Sequence, residues 1–120
     1  MKRIIEDDQL ILYYGDEKVL TMTEYQEDQT VRVVLDGSLK SETVFDLQDE
    51  LTALTILGMD IRLNMEKVTY LSSACVRAML IVQQKMDTLG KGTLTLEKVP
   101  CSIYKELEST GASELFMIEE

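Results

Sequence analysis

Two adjacent serines, Ser72 and Ser73, are the residues of this sequence best placed to take part in chemistry. They lie in the stretch from Val68 to Leu80, which follows a predicted strand and opens an amphipathic helix that contains Cys75. This pattern places them at a helix start, where unpaired backbone amides and the positive end of the helix dipole favour an anion. A phosphate on a serine hydroxyl carries about −1.5 to −2 charges and gains typically 0.3–1 kcal/mol at such a position. The alternative is that the serine is an ordinary helix cap.

The composition excludes several other kinds of site. The chain has no histidine, so histidine-based triads are impossible and the commonest nitrogen ligand of transition metals is missing. Cys75 and Cys101 form no CxxC pair, so we expect two reduced thiols and neither a zinc cluster nor a dithiol redox site. We therefore predict no metal and no cofactor.

An enzyme is the function class that the sequence favours least. Carboxylates such as Glu6-Asp7-Asp8 and Asp49-Glu50 fall in charge runs or on helix faces, where solvation explains them. The sequence places no pair of them as acid and base, and it leaves open a magnesium or small nucleotide site. A nucleophilic Cys75 would have to be ionised, which a helix start favours.

The charge balance points to a protein partner. With 12 basic and 22 acidic side chains the formal net charge is −10, which repels nucleic acid and anionic lipid. A partner with a basic contact surface fits this charge better. The longest apolar stretch, Ala78 to Val82, is too short to cross a bilayer, and the first residues turn acidic where a signal peptide needs an apolar core. We therefore expect a cytoplasmic protein.

The elements that position these serines begin with a β-rich region in what the length of 120 residues makes a single domain. Leu10 to Tyr14 and Val19 to Met22 flank a polar turn, Gly15 to Lys18, and predict a hairpin. Alternation over Thr30 to Leu35 predicts a half-buried strand, with a turn after Gly37. The oligomeric state stays open, because Ile11, Tyr13 and Leu20 of the hairpin either mediate self-association or cover the sheet.

Helices and strands alternate in the rest of the chain. Apolar residues spaced by three and four predict a helix from Ser41, as its cap, to Gly58, and a second from Ser72 or Ser73 to Gly90 or Gly92. The second helix buries a stripe of Cys75, Met79, Val82, Met86 and Leu89. The remaining predicted elements are a strand from Asp60 to Met65, a strand from Gly92 to Val99, a short helix between Pro100 and Gly111, and a strand from Leu115 to Ile118.

This order predicts an α/β fold in which parallel strands are joined by helical crossovers. The predicted strands alternate apolar and polar residues, whereas strands covered on both faces read as continuous apolar runs. We therefore expect a mixed sheet with the helices mainly on one face. The hairpin, a partner or solvent would cover the other face.

The segment from Val68 to Leu80 resembles the motif of STAS domains, the fold of bacterial anti-sigma factor antagonists, in which an extended run precedes Asp-Ser-Ser/Thr-Gly-Leu at a helix start. Val33 to Leu39 resembles the family's apolar strand ending in Gly-x-Leu, with Thr43 and Leu47 on the following helix. Ser109-Thr-Gly-Ala and Leu115 to Ile118 resemble the family's tail. The resemblance divides the chain into a β-rich N-terminal extension, residues 1–19, and a STAS-like domain, residues 20–120.

The resemblance implies that Ser73 is phosphorylated by a partner anti-sigma serine kinase. The unphosphorylated family member binds this kinase and frees the sigma factor. The chain departs from the family pattern at four positions: Ser72 replaces the aspartate, Ala74 the second Ser/Thr, Cys75 the glycine and Lys40 the usual acidic residue.

Two functions follow from the resemblance. The first is an anti-sigma factor antagonist whose phosphorylation releases the kinase by charge repulsion and desolvation at the interface. The residues expected at this contact are Ser72, Ser73, Arg77, Gly37, Ser38 and Lys40. The second is an unphosphorylated STAS adaptor in a signalling or transport assembly, in which Ser73 is only a cap.

Overall fold

Seven strands form one mixed sheet in which they lie side by side in chain order. The computed structural model describes residues 1–119. Pairing is antiparallel from the first strand to the fourth and parallel from the fourth to the seventh. The strands are β1 (Lys2–Glu6), β2 (Gln9–Tyr14), β3 (Glu17–Glu27), β4 (Thr30–Leu39), β5 (Asp60–Leu71), β6 (Leu94–Glu97) and β7 (Met117–Glu119).

Three helices connect the parallel strands and lie mainly on one face of the sheet, as the alternating strands predict. They are α1 (Val44–Thr55), α2 (Ser73–Leu89) and α3 (Cys101–Ser109), with 3-10 helices at Ser41–Thr43 and Ala112–Glu114. One apolar core joins the helices to alternate residues of the strands, among them Leu51, Met79 and Leu63. Within residues 1–119, none of the helices has the length and apolar character that crossing a membrane requires.

The helical periodicities are confirmed in most positions. Met79, Val82 and Met86 are buried on α2, and Gly90 ends that helix in the left-handed conformation at φ 70°. Leu89 was predicted to belong to the buried stripe, which is wrong, because it lies in the last turn of α2 and is 49% exposed.

Several predicted boundaries are corrected. The predicted cap Ser41 lies in a 3-10 helix, and α1 begins only at Val44. The strand predicted to end at Met65 continues to Leu71, and β1 was not predicted at all. The hairpin turn is shorter than predicted, since β3 begins at Glu17. For β3 and β5, hydrogen bonds to a neighbouring strand extend the strand beyond its local sequence pattern.

The N-terminal residues are continuous with the rest of the sheet. The boundary proposed between residues 19 and 20 falls inside β3, so the separation of an extension from a domain stays a prediction. Two residues expected to be exposed for self-association are buried, Leu20 fully and Ile11 to 7% exposure. They therefore cover the sheet, and Tyr13 alone of the three is partly exposed.

Ion pairs cross the sheet on the face away from the helices. Arg32 Nε lies 2.7 Å from Glu97 Oε1, and Arg62 Nη1 lies 2.7 Å from Glu119 Oε2 and 3.4 Å from Glu97 Oε2. Glu97, which contacts both arginines, is only 8% exposed. Polar cross-strand contacts therefore cover this part of the sheet.

Gly37 belongs to β4, which contradicts the turn expected after it. It pairs with Leu20 of β3 and Val68 of β5, between register shifts on β4. Its φ is +127°, and a Cβ added there would lie 2.3 Å from the Val19 carbonyl oxygen. The close approach of β3 therefore requires glycine at this position.

Gly37→Ala should cost more stability than the roughly 1–2 kcal/mol that a left-handed backbone costs an L-residue, because the added methyl group also collides with the backbone. Chemical denaturation measures this cost. Gly15→Ala is the matched control, since Gly15 has φ +62° and no atom within 4 Å of the added Cβ. Equal losses for the two variants would contradict the close approach.

Candidate functional site

The start of α2 assigns different roles to the two adjacent serines. Ser72 has extended backbone dihedrals, and its side-chain oxygen accepts a hydrogen bond of 3.2 Å from the backbone N–H of Cys75. Ser72 is 5% exposed. It is therefore the N-cap of the helix, which decides between the two predicted cap candidates.

Ser73 is the first residue of α2 and is exposed to solvent. Arg77 is also exposed and follows four residues later, which places it on the same side of the helix one turn further along. The Ser73 hydroxyl is thus accessible to a kinase, at the helix end that favours a negative charge. The positively charged guanidinium of Arg77 therefore lies about one helical turn from the Ser73 hydroxyl.

The connection between β4 and α1 is fastened to the start of α2 by hydrogen bonds. The backbone N–H of Ser72 donates to the Leu39 carbonyl at 2.9 Å. The Lys40 carbonyl accepts from the Thr43 hydroxyl at 2.7 Å and from the Cys75 thiol at 3.3 Å. These bonds bring the predicted contact residues Lys40, Ser72 and Ser73 to one end of the sheet.

Cys75 faces the interior and not the solvent. Its side chain is fully buried, and its Sγ lies 3.7 Å from the Thr43 hydroxyl as well as near the Lys40 carbonyl. Where the family pattern has glycine, this chain thus has a thiol that fills the space between the two segments. The buried thiol does not reach a substrate in solvent, so we do not propose it as a nucleophile.

The other predicted contact residues take different positions. Ser38 is partly exposed and pairs in register with Tyr70, close to the end of β5. Gly37 is also partly exposed, but the approach of β3 explains why it is glycine. Its carbonyl accepts a 3.2 Å hydrogen bond from the Thr69 hydroxyl.

A shallow apolar groove of about 190 Å³ adjoins Ser73. Its lining includes Val76 and Leu80 of α2, and Ala112 and Leu115 from the segment after α3. Leu115 is 57% exposed. A serine that borders an exposed apolar groove is suited to control whether another protein binds there.

Two exposed aromatic residues near this site were not among the predicted contact residues. Phe45 is 78% exposed in the first turn of α1, two residues after Thr43. Tyr70 is 55% exposed and lies two residues before Ser72. The signal for Phe45 was present in the sequence, because it lies off the apolar stripe of its helix. Exposed aromatic residues are common anchors of protein interfaces.

A separate group of carboxylates lies beside α1. Glu24 of β3 is partly buried next to Glu50 of α1, and its backbone N–H donates to the Asp8 carbonyl at 3.0 Å. Burial, the hydrogen bond to Glu50 and the negative charges of Glu50 and Asp8 raise the pKa of Glu24 to about 7. Glu24 therefore holds a proton at a pH where most carboxyl groups have lost theirs.

A comparison with protein families finds one match that covers most of the chain. A family model described as "Mlab, STAS domain" matches residues 22–119. No curated protein matches the sequence significantly.

Solved structures share the fold at low sequence identity. Bacillus SpoIIAA, an anti-sigma factor antagonist solved in unphosphorylated and phosphorylated forms, is 17% identical in the former, with a TM-score of 0.69 over 82% of this chain and 88% of that chain. A putative anti-sigma factor antagonist from Thermotoga maritima is 14% identical, with a TM-score of 0.74 over 82% and 86%. The murine anion transporter Slc26a9 is 17% identical, with a TM-score of 0.62 over 75% of this chain and 15% of the transporter.

The cap geometry predicts opposite results for alanine at the two serines. Ser72→Ala should cost about 0.5–2 kcal/mol, because it removes the acceptor for the Cys75 N–H. Ser73→Ala should stay within about 0.5 kcal/mol of the unmodified protein, because its side chain is exposed and caps nothing. Urea denaturation measures both, and each variant controls for the other. A larger loss at Ser73 would make Ser73 the cap.

The Glu24 pKa predicts a specific pH dependence of stability. The folded chain keeps this proton up to about pH 7, whereas the ordinary pKa of a glutamate carboxyl group is 4.5. Since the folded state then binds more protons than the unfolded state, this group makes stability fall as pH rises from about 4.5 to about 7. Glu24→Gln keeps a hydrogen-bond donor for Glu50. Because glutamine does not titrate, this variant should lack the loss of stability that Glu24 causes as the pH rises.

The measurement compares urea midpoints at about pH 5 and about pH 8. Glu106→Gln is the control, because Glu106 is exposed on α3. If Glu24→Gln and the unmodified protein change by the same amount between the two pH values, Glu24 does not hold the extra proton.

Proposed function

The chain belongs to the STAS domain family, and on that premise we propose that it is an anti-sigma factor antagonist that binds an anti-sigma serine kinase and is released by phosphorylation of Ser73. The observation that carries this proposal is the separation of roles at the start of α2. Ser72 caps the helix, so the exposed hydroxyl of Ser73 is left without a structural task. The similar fold of SpoIIAA, which exists in both phosphorylation states, supports the same conclusion.

The proposed docking surface surrounds Ser73. It comprises the β4–α1 connection with Ser38 and Lys40, the exposed side of α2 with Arg77, and the adjoining groove. Gly37 contributes by keeping this connection close to β3. Phe45 and Tyr70 supply aromatic area at its margin. We infer that the unmodified surface is bound by the kinase with Ser73 in its active site.

Phosphorylation would change this surface in three ways. It adds about −1.5 to −2 charges to a protein with a net charge of −10, it places a strongly hydrated group beside an apolar groove, and it offers Arg77 a new partner. The first two changes oppose docking, because the partner must desolvate the phosphate. The third holds the phosphate at the helix end, where the backbone amides of α2 stabilise it.

Cys75 and Ser72 distinguish this switch from the family pattern. The Cys75 thiol bonds to the Lys40 carbonyl, so the two halves of the docking surface are connected directly. Ser72 brings no carboxylate, which removes a like charge next to a phosphate on Ser73. We propose that these two replacements, Cys75 for glycine and Ser72 for aspartate, keep the β4–α1 connection and the start of α2 in one arrangement in either phosphorylation state.

The second candidate function is a STAS adaptor that is not phosphorylated, in a signalling or transport assembly. The occurrence of this fold within the murine anion transporter supports it. The replacement of the family's aspartate by Ser72 supports it as well. In both candidates the chain is a binding protein without catalytic activity, and we propose that it acts in the cytoplasm.

The experiment captures partners from the lysate of the native host on four versions of the full chain. The baits are the unmodified protein, Ser73→Ala, Ser73→Asp and Ser102→Asp, and mass spectrometry identifies the captured proteins. Ser102 is an exposed serine in the first turn of α3, so it controls for a new charge near a helix start. We expect the unmodified protein, Ser73→Ala and Ser102→Asp to capture an ATP-binding serine kinase. On Ser73→Asp, the amount of captured kinase should fall about tenfold or more.

Two results would contradict the proposal. Recovery of the same kinase with Ser73→Asp would show that charge at Ser73 does not control binding. Recovery of one assembly without a kinase on all four baits would favour the adaptor. Incubation of the captured kinase with ATP should also place phosphate on Ser73 and none on the Ser73→Ala bait.

A further inference from the structure

A second groove lies at the other end of the parallel strands from Ser73. Two adjoining depressions, of about 450 Å³ and about 180 Å³, share Asp8 and Glu24 in their lining. The larger one reaches Val31 at the start of β4 and Leu57 before β5, whereas Ser73 follows the end of β5. The two surfaces are therefore separate.

Apolar side chains line part of the groove, both at its floor and at its margin. Leu10, Val31 and Leu54 line it and are buried at the sheet and at α1. At the margin, Ile5 is 71% exposed and Leu57 is 52% exposed. Both side chains line the depressions and are accessible to a partner.

Carboxylates border this apolar floor. Asp7 and Asp8 come from the β1–β2 turn, Glu24 from β3 and Glu50 from α1. Among residues 1–119, the ion pairs of the structure include none of these four, and the nearby Arg3 is already paired with Asp46 at 2.8 Å. The charge of these four carboxylates is therefore not compensated by an ion pair within the described part of the chain, whereas Glu27, which lines the larger depression, is paired with Arg32 at 3.4 Å.

We propose that this groove binds a basic amphipathic segment of another protein, with apolar side chains on the floor and lysine or arginine opposite the carboxylates. Charge complementarity selects this occupant. A second copy of the chain brings a net charge of −10 to an acidic surface, so repulsion opposes it. A metal ion is a less suitable occupant, because residues 1–119 contain no group of three or more acidic, cysteine or histidine side chains arranged as metal ligands.

The groove is a feature of this chain and not of the family match. Ile5, Asp8 and Leu10 line it, and all three precede residues 22–119, over which the family model matches. The N-terminal strands thus build a surface beside α1 that the matched region alone does not form. This site goes beyond the function proposed for Ser73 and does not depend on it.

Binding of a cation here is coupled to a proton. Glu24 shares its surroundings with Glu50 of α1 and with Asp7 and Asp8 of the β1–β2 turn, and it ionises only near pH 7. A lysine or arginine placed between Glu24 and Glu50 favours the ionised form and displaces the proton. Affinity for the basic segment should therefore rise as the pH passes through 7 and then become constant.

The test uses a synthetic peptide of about four helical turns with leucine on one face and lysine on the other. Fluorescence anisotropy measures its affinity for the full chain at about 0.15 M ionic strength. The acidic variant is Glu24→Gln/Glu50→Gln, and the control is Glu106→Gln/Glu108→Gln on the exposed side of α3. The two variants remove the same charge at about pH 8, where Glu24 is ionised, so they are compared at that pH. Leu57→Asn tests the apolar margin, and circular dichroism verifies that all variants fold.

We expect the acidic variant and Leu57→Asn each to weaken binding about tenfold or more, and the control to change it less than about twofold. The affinity of the unmodified protein should rise between about pH 6 and about pH 8, and that of the acidic variant should not.

Four results would overturn the proposal. Equal losses of affinity in the acidic variant and the control would show that binding depends only on the net charge of the protein. Equal binding of a peptide with serine in place of leucine would leave no role for the apolar floor. Saturable binding of Mg²⁺ or Ca²⁺ that Glu24→Gln/Glu50→Gln abolishes would make the groove an ion site. Self-association in sedimentation equilibrium that Leu57→Asn abolishes would assign the groove to a second copy.

Discussion

The hydrogen bonds at Leu39 and Lys40 are the contacts on which the proposed Ser73 site depends. The Leu39 carbonyl accepts a hydrogen bond from the Ser72 N–H, and the Lys40 carbonyl accepts hydrogen bonds from the Thr43 hydroxyl and the Cys75 thiol. These bonds join the end of one parallel strand to the start of the helix after the next strand. Because Ser72 is fixed and turned inward, Ser73 is turned outward. A buried polar group that lost its partner here would cost about 1–3 kcal/mol, which keeps this arrangement in place.

The same topology gives the molecule two distinct surfaces. The carboxyl ends of β4 and β5 meet at α2, where the surface is apolar with a few cations such as Lys40 and Arg77. The amino ends of these strands meet the turns of the added β1–β3 region, where the surface is apolar with carboxylates. A partner whose charge suits one of the two proposed surfaces is therefore disfavoured at the other.

Much of the fold could be predicted because its signals are local. The stripe of Met79, Val82 and Met86 identifies α2, and the alternation of Ile61, Leu63 and Met65 identifies β5 and the face that the helices cover. β1 was missed because its residues are mostly exposed and carry no alternation. The periodicity missed the extensions of β4 past Gly37 and of β5 past Met65, because each is stabilised by hydrogen bonds to another strand, which leave no periodic signal in the extending segment itself. For β4, the resemblance to a family strand ending in Gly-x-Leu did include the residues up to Leu39.

The features of the candidate site also divide into those visible in the sequence and those visible only in the structure. Residue types and short spacings are enough to place Ser72 and Ser73 at the start of a helix, to exclude histidine chemistry and to reveal the resemblance to the STAS family. They do not identify Ser72 as the cap, the hydrogen bond from the Cys75 thiol to the Lys40 carbonyl, or the contact of Glu24 with Glu50. The last two contacts join residues 35 and 26 positions apart, and the first selects one of two neighbours by orientation, so all three depend on how the sheet and helices pack.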